Sequence, residues 1–380
     1  MAHARLLTVA GEASSDAHAA GLLEALRDRG WRGECVAVGG PALAAAGARL
    51  IADQSDLAVV GLSEVCGRLP RILRLLGRVR DEIARRPPDL FLPVDTPEFN
   101  LRLLPHAARR GVPVVYFVAP QTWAWRPRRT RILRRHAREL LVLFPFEEPW
   151  FRERGVAATY VGHPLVDAAR AWRAQRPRRG RQTPEESGPA GLLLPGSRSG
   201  EVRRHLPVLA AAVELLRRRG LDLRWRVRAA PGLDDDFYAP WTLSAGIELR
   251  REPILELAAG SAVTVAASGT ASFEAALAGS PLIVVYRVSP LTWLLARRMV
   301  RVPHVAMANL ALGRGVVPEL LQDDCAPARI AGEIEGLLGD PARAERMRAE
   351  LAGLDARFGP SGALARAAER VQAHLEPRGG

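Results

Sequence analysis

Two stretches of this 380-residue chain place small and charged residues where a phosphate could be held. In "LLLPGSRSGEVRRHLPVL" an apolar run ends at Pro195, Gly196, Ser197 and Arg198 follow, and a helical pattern opens with Glu201 near its first turn. In "VAASGTASFEAALAGSP" the order recurs: Ser268, Gly269 and Thr270 close an apolar run, a helix opens over them, and Glu274 lies one turn further on. Glycine permits close backbone approach, and free N–H groups at a helix start attract phosphate. Arg198 adds a guanidinium able to grip two oxygens at once. Glu274 is placed to accept hydrogen bonds from the ribose hydroxyls of a nucleotide. Each turn alone is equally compatible with a capped helix start, and Glu274 with a solvated helix residue. Two such turns in one half of the chain favour a nucleoside diphosphate held between them, at the carboxyl ends of parallel strands.

The elements that must position these turns follow from the hydrophobic pattern. In the first half, "LLTVA", "CVAVGG", "LFLPVD", "VPVVYFVAP", "ELLVLFPF" and "ATYVGHP" alternate with helical stretches near 16–29 and 68–86. After a polar, Pro- and Gly-bearing stretch the alternation restarts with the first phosphate turn, then "RWRVRAA", "GIELR", "AVTVAAS" and "LIVVYRV". Strands alternating with helices predict α/β parallel sheets. The expected organisation is a first Rossmann-like domain over 1–168, a linker over 169–190, a second Rossmann-like domain over 191–345, and a helical segment over 346–380 that packs back on the first domain or is exchanged in a dimer. The two domains are expected to face each other across a cleft.

Composition narrows the chemistry. The formal net charge is +13, and every basic residue other than histidine is Arg; the chain has no lysine. A Walker-type phosphate loop and Schiff-base catalysis are therefore excluded. Cys35, Cys66 and Cys325 are too few and too scattered for a disulfide framework or a zinc site. Only two asparagines occur, Asn100 and Asn309, which singles them out although either could serve a turn or a cap. "DDD" at 234–236 follows Pro231-Gly232 without a neighbouring histidine and reads as a solvated loop. No metal and no cofactor are expected. The Arg residues are spread along the whole chain with no recognition-helix or stacking motif, which weighs against a nucleic-acid binder.

The ordered series "AGEASSD" (10–16), "GLSEV" (61–65), "VDTPEFNLRL" (94–103), "APQTWAWR" (119–126), "FPFE" (144–147), "VGHPLVD" (161–167), "LPGSRSGE" (194–201), "SGTASFEAAL" (268–277), "YRVSPLT" (286–292) and "VPHVAMANL" to "VVPELLQ" (302–322) resembles the lipid A disaccharide synthases over nearly the whole chain. These are inverting glycosyltransferases of the two-Rossmann, GT-B architecture. The resemblance implies transfer from UDP-2,3-diacylglucosamine to 2,3-diacylglucosamine 1-phosphate, with release of UDP. It assigns Asp95 as the base for the acceptor 6-hydroxyl, and Glu12, Ser14, Asp16, Glu98 and Asn100 as residues around the acceptor. On the donor side it places Gly196, Ser197, Arg198, Ser268, Gly269, Thr270 and Glu274, with Arg287 and Asn309 reaching the diphosphate, uridine or sugar. Asp95 by itself reads more readily as a strand-end or N-cap carboxylate, and only the resemblance favours the base; His163 reads as a hinge or cleft residue. The chain departs from the family pattern at Ser15, where Gly is usual, and at Thr96 and Glu98 within the family's Asp-Ala-Pro-Asp-Phe-Asn.

Acylated substrates require access to a bilayer. The segment 68–86 sets Leu69, Ile72, Leu73, Leu76, Val79 and Ile83 on one helical face with Arg68, Arg71, Arg74, Arg78 and Arg85 around it. Such a helix suits an anionic interface, and Trp123 and Trp125 before an Arg cluster have the same character. An amphipathic helix packed on a sheet gives the same pattern. With no apolar run of about twenty residues and no signal-peptide layout, the expected location is the cytoplasm, peripherally on the inner face of the cytoplasmic membrane, with a homodimer as the implied assembly. A GT-B UDP-sugar transferase or epimerase acting on a non-acylated substrate is the alternative.

Overall fold

Short Val-, Leu- and Ile-rich runs bounded by Gly, Pro or Asp form strands, and those buried on both faces read as continuous apolar segments. The computed structural model describes residues 4–57, 62–175, 189–296, 300 and 302–375. The chain divides into two compact units, the first holding Met1–Asp167 and Pro360–Gly380, the second Ala168–Arg298 and Val302–Gly359.

Among the described residues, the first unit carries strands β1 (Leu6–Ala10), β2 (Cys35–Gly39), β3 (Arg49–Asp53), β4 (Leu90–Val94), β5 (Val115–Phe117), β6 (Glu139–Val142) and β7 (Ala158–Tyr160). They make one parallel sheet in the order β3-β2-β1-β4-β5-β6-β7. β1 runs beside β4 in register from Leu6 opposite Leu90 to Ala10 opposite Val94, and all ten of these positions are buried. The second unit carries β8 (Ala190–Leu194), β9 (Arg224–Arg228), β10 (Glu248–Arg250), β11 (Val263–Ala267), β12 (Leu282–Tyr286) and β13 (Glu319–Leu321), in the parallel order β10-β9-β8-β11-β12-β13.

Each sheet reverses its winding once, between β1 and β4 in the first and between β8 and β11 in the second. In an open α/β sheet the loops diverging at that switch leave a crevice outside the carboxyl ends of the strands, where ligands bind. The turns after β1 and β4 carry Glu12 and Asp95, and those after β8 and β11 carry Arg198 and Thr270. Four sequence-predicted stretches therefore stand at the two switch points.

The predicted first helix spans Ala13–Asp28 and the next long one Leu62–Arg85. Of the segment read as a linker, residues 169–175 end the helix Pro164–Gln175, while 176–188 lie outside the described residues. Gly61 of "GLSEV" is also outside them. The last helix, Ala363–Leu375, packs on Ala13–Asp28 in the first unit. Arg370 Nη2 and His374 Nε2 each lie 2.8 Å from the buried Glu139 carboxylate on β6, and the Thr159 hydroxyl donates to it at 2.5 Å. Burial raises the Glu139 pKa, but His374, Thr159 and Arg370 outweigh it and hold the carboxyl down to about 2. Among the described residues no helix is long and apolar enough to cross a membrane.

Candidate active site

At the end of β4 the backbone turns through two consecutive left-handed residues, Asp95 (φ 47°) and Thr96 (φ 47°). Positive φ is uncommon for any side-chain-bearing residue and an outlier for β-branched threonine, so the turn must be held from outside. Buried Asn100 donates its side-chain amide to the Asp95 carbonyl at 2.8 Å and to the Val9 carbonyl at 3.2 Å. The Tyr116 hydroxyl, on β5, donates to the same Asp95 carbonyl at 2.5 Å. The Thr96 hydroxyl accepts the Gly11 N–H at 3.0 Å, tying the turn after β4 to the turn after β1. Burial and the Asp95 charge push the Tyr116 phenol well above its ordinary pKa, so it remains an O–H donor. Asp95 itself is only partly buried. The Asp95 carboxylate thus stands on a strained, over-determined turn at the strand end.

In the second unit the turn after β8 wraps Glu201. Gly196 has φ 126°, and a Cβ there would sit 2.7 Å from the Glu201 Cβ, so glycine is required. Glu201 Oε2 accepts the Ser197 N–H at 3.2 Å, and Oε1 accepts from Arg198 Nη1 at 2.8 Å. The turn after β11 has Gly269 at φ 144° with open space where a Cβ would stand, beside the first residue of helix Thr270–Leu277. The Ser272 hydroxyl donates to the Gly269 carbonyl at 2.7 Å and accepts the Gly269 N–H at 3.3 Å, bracing that turn. Glu274 is partly buried on this helix; its carbonyl accepts the Ala278 N–H at 2.9 Å, while its carboxylate makes no hydrogen bond or ion pair with another described residue. Burial raises its pKa, with Arg228 opposing. Arg287 is exposed after β12, and its guanidinium likewise makes no ion pair with a described residue. The second unit thus carries Arg198 and the start of helix Thr270–Leu277 at its switch point, with Glu274 on that helix and Arg287 in the loop after β12.

The sequence profile of the family described as "Lipid-A-disaccharide synthetase" matches residues 6–354. A "Lipid-A-disaccharide synthase" of Myxococcus xanthus is 42% identical over 379 residues, covering 98% of each chain. The chain belongs to the lipid-A-disaccharide synthase family. Its fold is similar to that of CalG4, the calicheamicin glycosyltransferase, with TM-score 0.60 at 22% identity over 99% of each chain. It is also similar to the S. aureus MnaA–UDP complex, with TM-score 0.65 at 14% identity over 98% of this chain and 96% of that one. The architecture is GT-B, and the protein is a UDP-sugar glycosyltransferase of the lipid-A-disaccharide synthase family.

Where the chain departs from the usual family pattern, the structure gives local accounts. Ser15 accepts the Glu12 N–H at 3.0 Å and donates to the Glu12 carbonyl at 2.9 Å, bracing the start of helix Ala13–Asp28. Ser14 is partly buried in the same first turn. Glu98 is gripped by both Arg129 guanidinium nitrogens, at 2.8 and 2.6 Å, with Arg126 at 3.3 Å. Burial raises the Glu98 pKa, but Arg129, then Arg126 and Arg102, bring it below the ordinary value.

Several predicted site residues have their polar groups taken up within the fold. Asp16 is buried and accepts the N–H groups of Gly40, Ala42 and Leu43 at 2.7, 2.9 and 3.3 Å, clamping Ala13–Asp28 to the short helix Pro41–Ala45. Asn309 is fully buried: its amide donates to Val317 O and Glu319 Oε1 at 2.9 and 2.7 Å, and its carbonyl oxygen accepts from Val316 and Val317. Glu319, which sequence reasoning passed over, also accepts the Val305 and Ala306 N–H groups. Ser268 donates to the Val305 carbonyl at 3.0 Å, so this cluster supports the turn after β11. Tyr116 and Glu319 were missed because their partners are mostly backbone groups distant in sequence, and Glu201 was seen only as a first-turn acid because the sequence does not display the shape of the turn it braces.

The expected interfacial face divides. Leu76, Val79 and Ile83 are buried against the first unit, while Leu69 and Leu73 are 43% and 49% exposed, Ile72 is partly buried, and Arg71, Arg74 and Arg78 stand exposed beside them. Leu76 therefore belongs to the core and not to a membrane contact. The same correction applies to Trp123, which is buried with its indole N–H donating to Glu147 Oε1 at 2.9 Å. Burial pushes the Glu147 carboxyl up to about 7, opposed by N–H donors from Phe144, Trp123 and Leu143. Trp125 is partly buried, with Arg126 and Arg129 over its ring at 4.8 and 5.5 Å. His163 is buried 6.3 Å from the His18 ring, and burial drives its pKa well below the ordinary histidine value. Asp235, within the acidic run, pairs with Arg251 at 2.5 Å.

Proposed function

We propose that the protein transfers 2,3-diacylglucosamine from UDP-2,3-diacylglucosamine to the 6-hydroxyl of 2,3-diacylglucosamine 1-phosphate, giving a β(1→6)-linked disaccharide 1-phosphate and UDP. The observation that carries this reading is the left-handed Asp95–Thr96 turn, held by Asn100, Tyr116 and Gly11, in a chain of this family. Asp95 takes the proton of the acceptor hydroxyl as that oxygen bonds to the anomeric carbon of the donor. The bond from that carbon to the phosphate oxygen breaks, and UDP leaves with the electron pair, so the anomeric configuration inverts. Arg198, Arg287 and the helix starts at Ser199 and Thr270 stabilise the charge gathering on the diphosphate. Glu274 accepts from the ribose hydroxyls.

Peripheral membrane binding belongs to the same reading. Leu69 and Leu73 enter the headgroup boundary while Arg71, Arg74 and Arg78 meet anionic lipid. The test is an assay in detergent micelles for UDP release from UDP-2,3-diacylglucosamine, with and without 2,3-diacylglucosamine 1-phosphate. Acceptor-dependent release with formation of a phosphorylated disaccharide is expected. A protein that binds UDP but gives no such product would shift the reading to a non-acylated acceptor.

A further inference from the structure

His205 lies on helix Ser199–Arg218, is fully buried, and takes no part in the proposed chemistry. Its two ring nitrogens hold two different loops. Nδ1 is 2.8 Å from the Pro195 carbonyl, at the head of the turn that carries Gly196, Ser197 and Arg198. Nε2 is 3.0 Å from the backbone N of Arg287, just past β12. A carbonyl can only accept and a backbone N–H can only donate, so the ring is the neutral tautomer with its hydrogen on Nδ1. Burial, the leading influence on its pKa, favours that neutral form; the bonds to Pro195 and Arg287 and the charge of Glu201 oppose it, Arg204 reinforces it, and the Tyr286 ring packs 5.8 Å away.

The two loops are not neighbours in the sheet, because β11 stands between β8 and β12. A hydrogen-bonded imidazole spans that gap beneath the surface. The far side of the Arg287 loop is fixed as well: Gln322, itself left-handed at φ 52°, accepts the Val288 N–H at 2.6 Å and donates to the Val288 carbonyl at 3.3 Å.

We infer that His205 is a positioning residue: its neutral imidazole sets the spacing between the Pro195–Arg198 turn and Arg287, so that Arg198 and Arg287 address one diphosphate. This rests on the donor-site reading given above. The imidazole touches neither substrate nor reacting atoms and acts through the two backbone segments it joins.

Three substitutions separate this role from core packing. His205→Leu keeps apolar bulk and removes both bonds. His205→Gln can place an acceptor near the Nε2 position, and His205→Asn a donor near the Nδ1 position. The readouts, on the full chain, are UDP affinity by titration calorimetry and hydrogen exchange of the Arg287 amide. The expectation is that His205→Leu, still folded by cooperative unfolding, loses Arg287 protection and binds UDP about tenfold more weakly, a loss of about 1.4 kcal/mol. His205→Gln regains protection and most of the affinity, whereas His205→Asn leaves Arg287 unprotected. A folded His205→Leu with wild-type UDP affinity and a protected Arg287 amide overturns the inference. Should the leucine variant not fold, equal UDP affinity for His205→Gln, His205→Asn and wild type does so. Absence of UDP binding by the wild type would instead sink the donor-site reading, and Arg287 exchange would still decide whether the imidazole holds that loop.

Discussion

The Asn100 side-chain amide lies 2.8 Å from the backbone carbonyl of Asp95 and donates to it from the buried floor of the turn after β4. Together with the Tyr116 hydroxyl it fixes the backbone of a residue in the left-handed region, where an unaided aspartate seldom stays. Replacing Asn100 by Ala should release that turn. Turnover is expected to fall about 10- to 100-fold while UDP affinity stays near the wild-type value, because a misplaced base is lost gradually with geometry. Turnover in micelles and UDP calorimetry on the same preparation check this; unchanged turnover would mean that the turn holds itself.

Asp95→Asn tests the base directly. Turnover should drop by about 10² to 10⁴ with UDP binding intact. Equal activity would remove Asp95 from that role.

Arg198→Ala should weaken UDP binding and also slow turnover, since its target is charge that grows in the transition state. Glu201→Gln should give a smaller loss of both, because Glu201 orients the Arg198 guanidinium through a 2.8 Å contact. A rise in KM alone for Arg198→Ala would make the arginine a uniform binder.

The Glu139 anchor of the last helix predicts an acid-dependent stability. Its carboxyl is held down to about 2 from 4.5, so the stabilisation is complete above pH 4.5 and is lost as pH falls from there towards 2. Glu139→Gln should cost about 2 kcal/mol at pH 7, allowing for screening at the half-exposed Arg370, and should flatten the unfolding free energy across that acid window. Urea unfolding at a series of pH values gives both quantities. A variant as stable as wild type at pH 7 would show that Arg370 and His374 add nothing.

The two halves of the helix Leu62–Arg85 should respond oppositely to serine. Leu69→Ser with Leu73→Ser should reduce cosedimentation with anionic vesicles, at about 1.5 to 3 kcal/mol for each leucine removed from apolar burial, and leave thermal stability close to wild type. Leu76→Ser, at a buried position, should lower stability by about 2 to 5 kcal/mol. Vesicle binding unaffected by the double substitution would place the membrane contact elsewhere.

Much of this was legible in the chain order. Apolar runs of strand length alternating with helical periods specify parallel α/β units, since both faces of such a strand must be covered. The Gly-Ser-Arg and Ser-Gly-Thr turns announced themselves because Gly196 and Gly269 adopt backbone angles that glycine alone takes readily. Residue type by itself could not divide carboxylates and amides into ligands and braces. Asp16 and Asn309 each lie in a promising motif, yet the Asp16 carboxylate is taken up by backbone N–H groups after β2, and the Asn309 amide by the Val316–Val317 backbone and the Glu319 carboxylate. The side chains of Glu274 and Arg287, which the sequence allows equally as a solvated carboxylate and a surface cation, make no hydrogen bond to a backbone group among the described residues. Helical period alone likewise could not separate Leu76 from Leu73, since both share one amphipathic face and only packing in the folded unit decides where that face stops being covered. Local pattern sets which elements form and where the backbone must bend. Which polar groups remain available for chemistry is decided when the folded chain brings remote N–H and C=O groups within reach, because a buried polar atom must find its partner there.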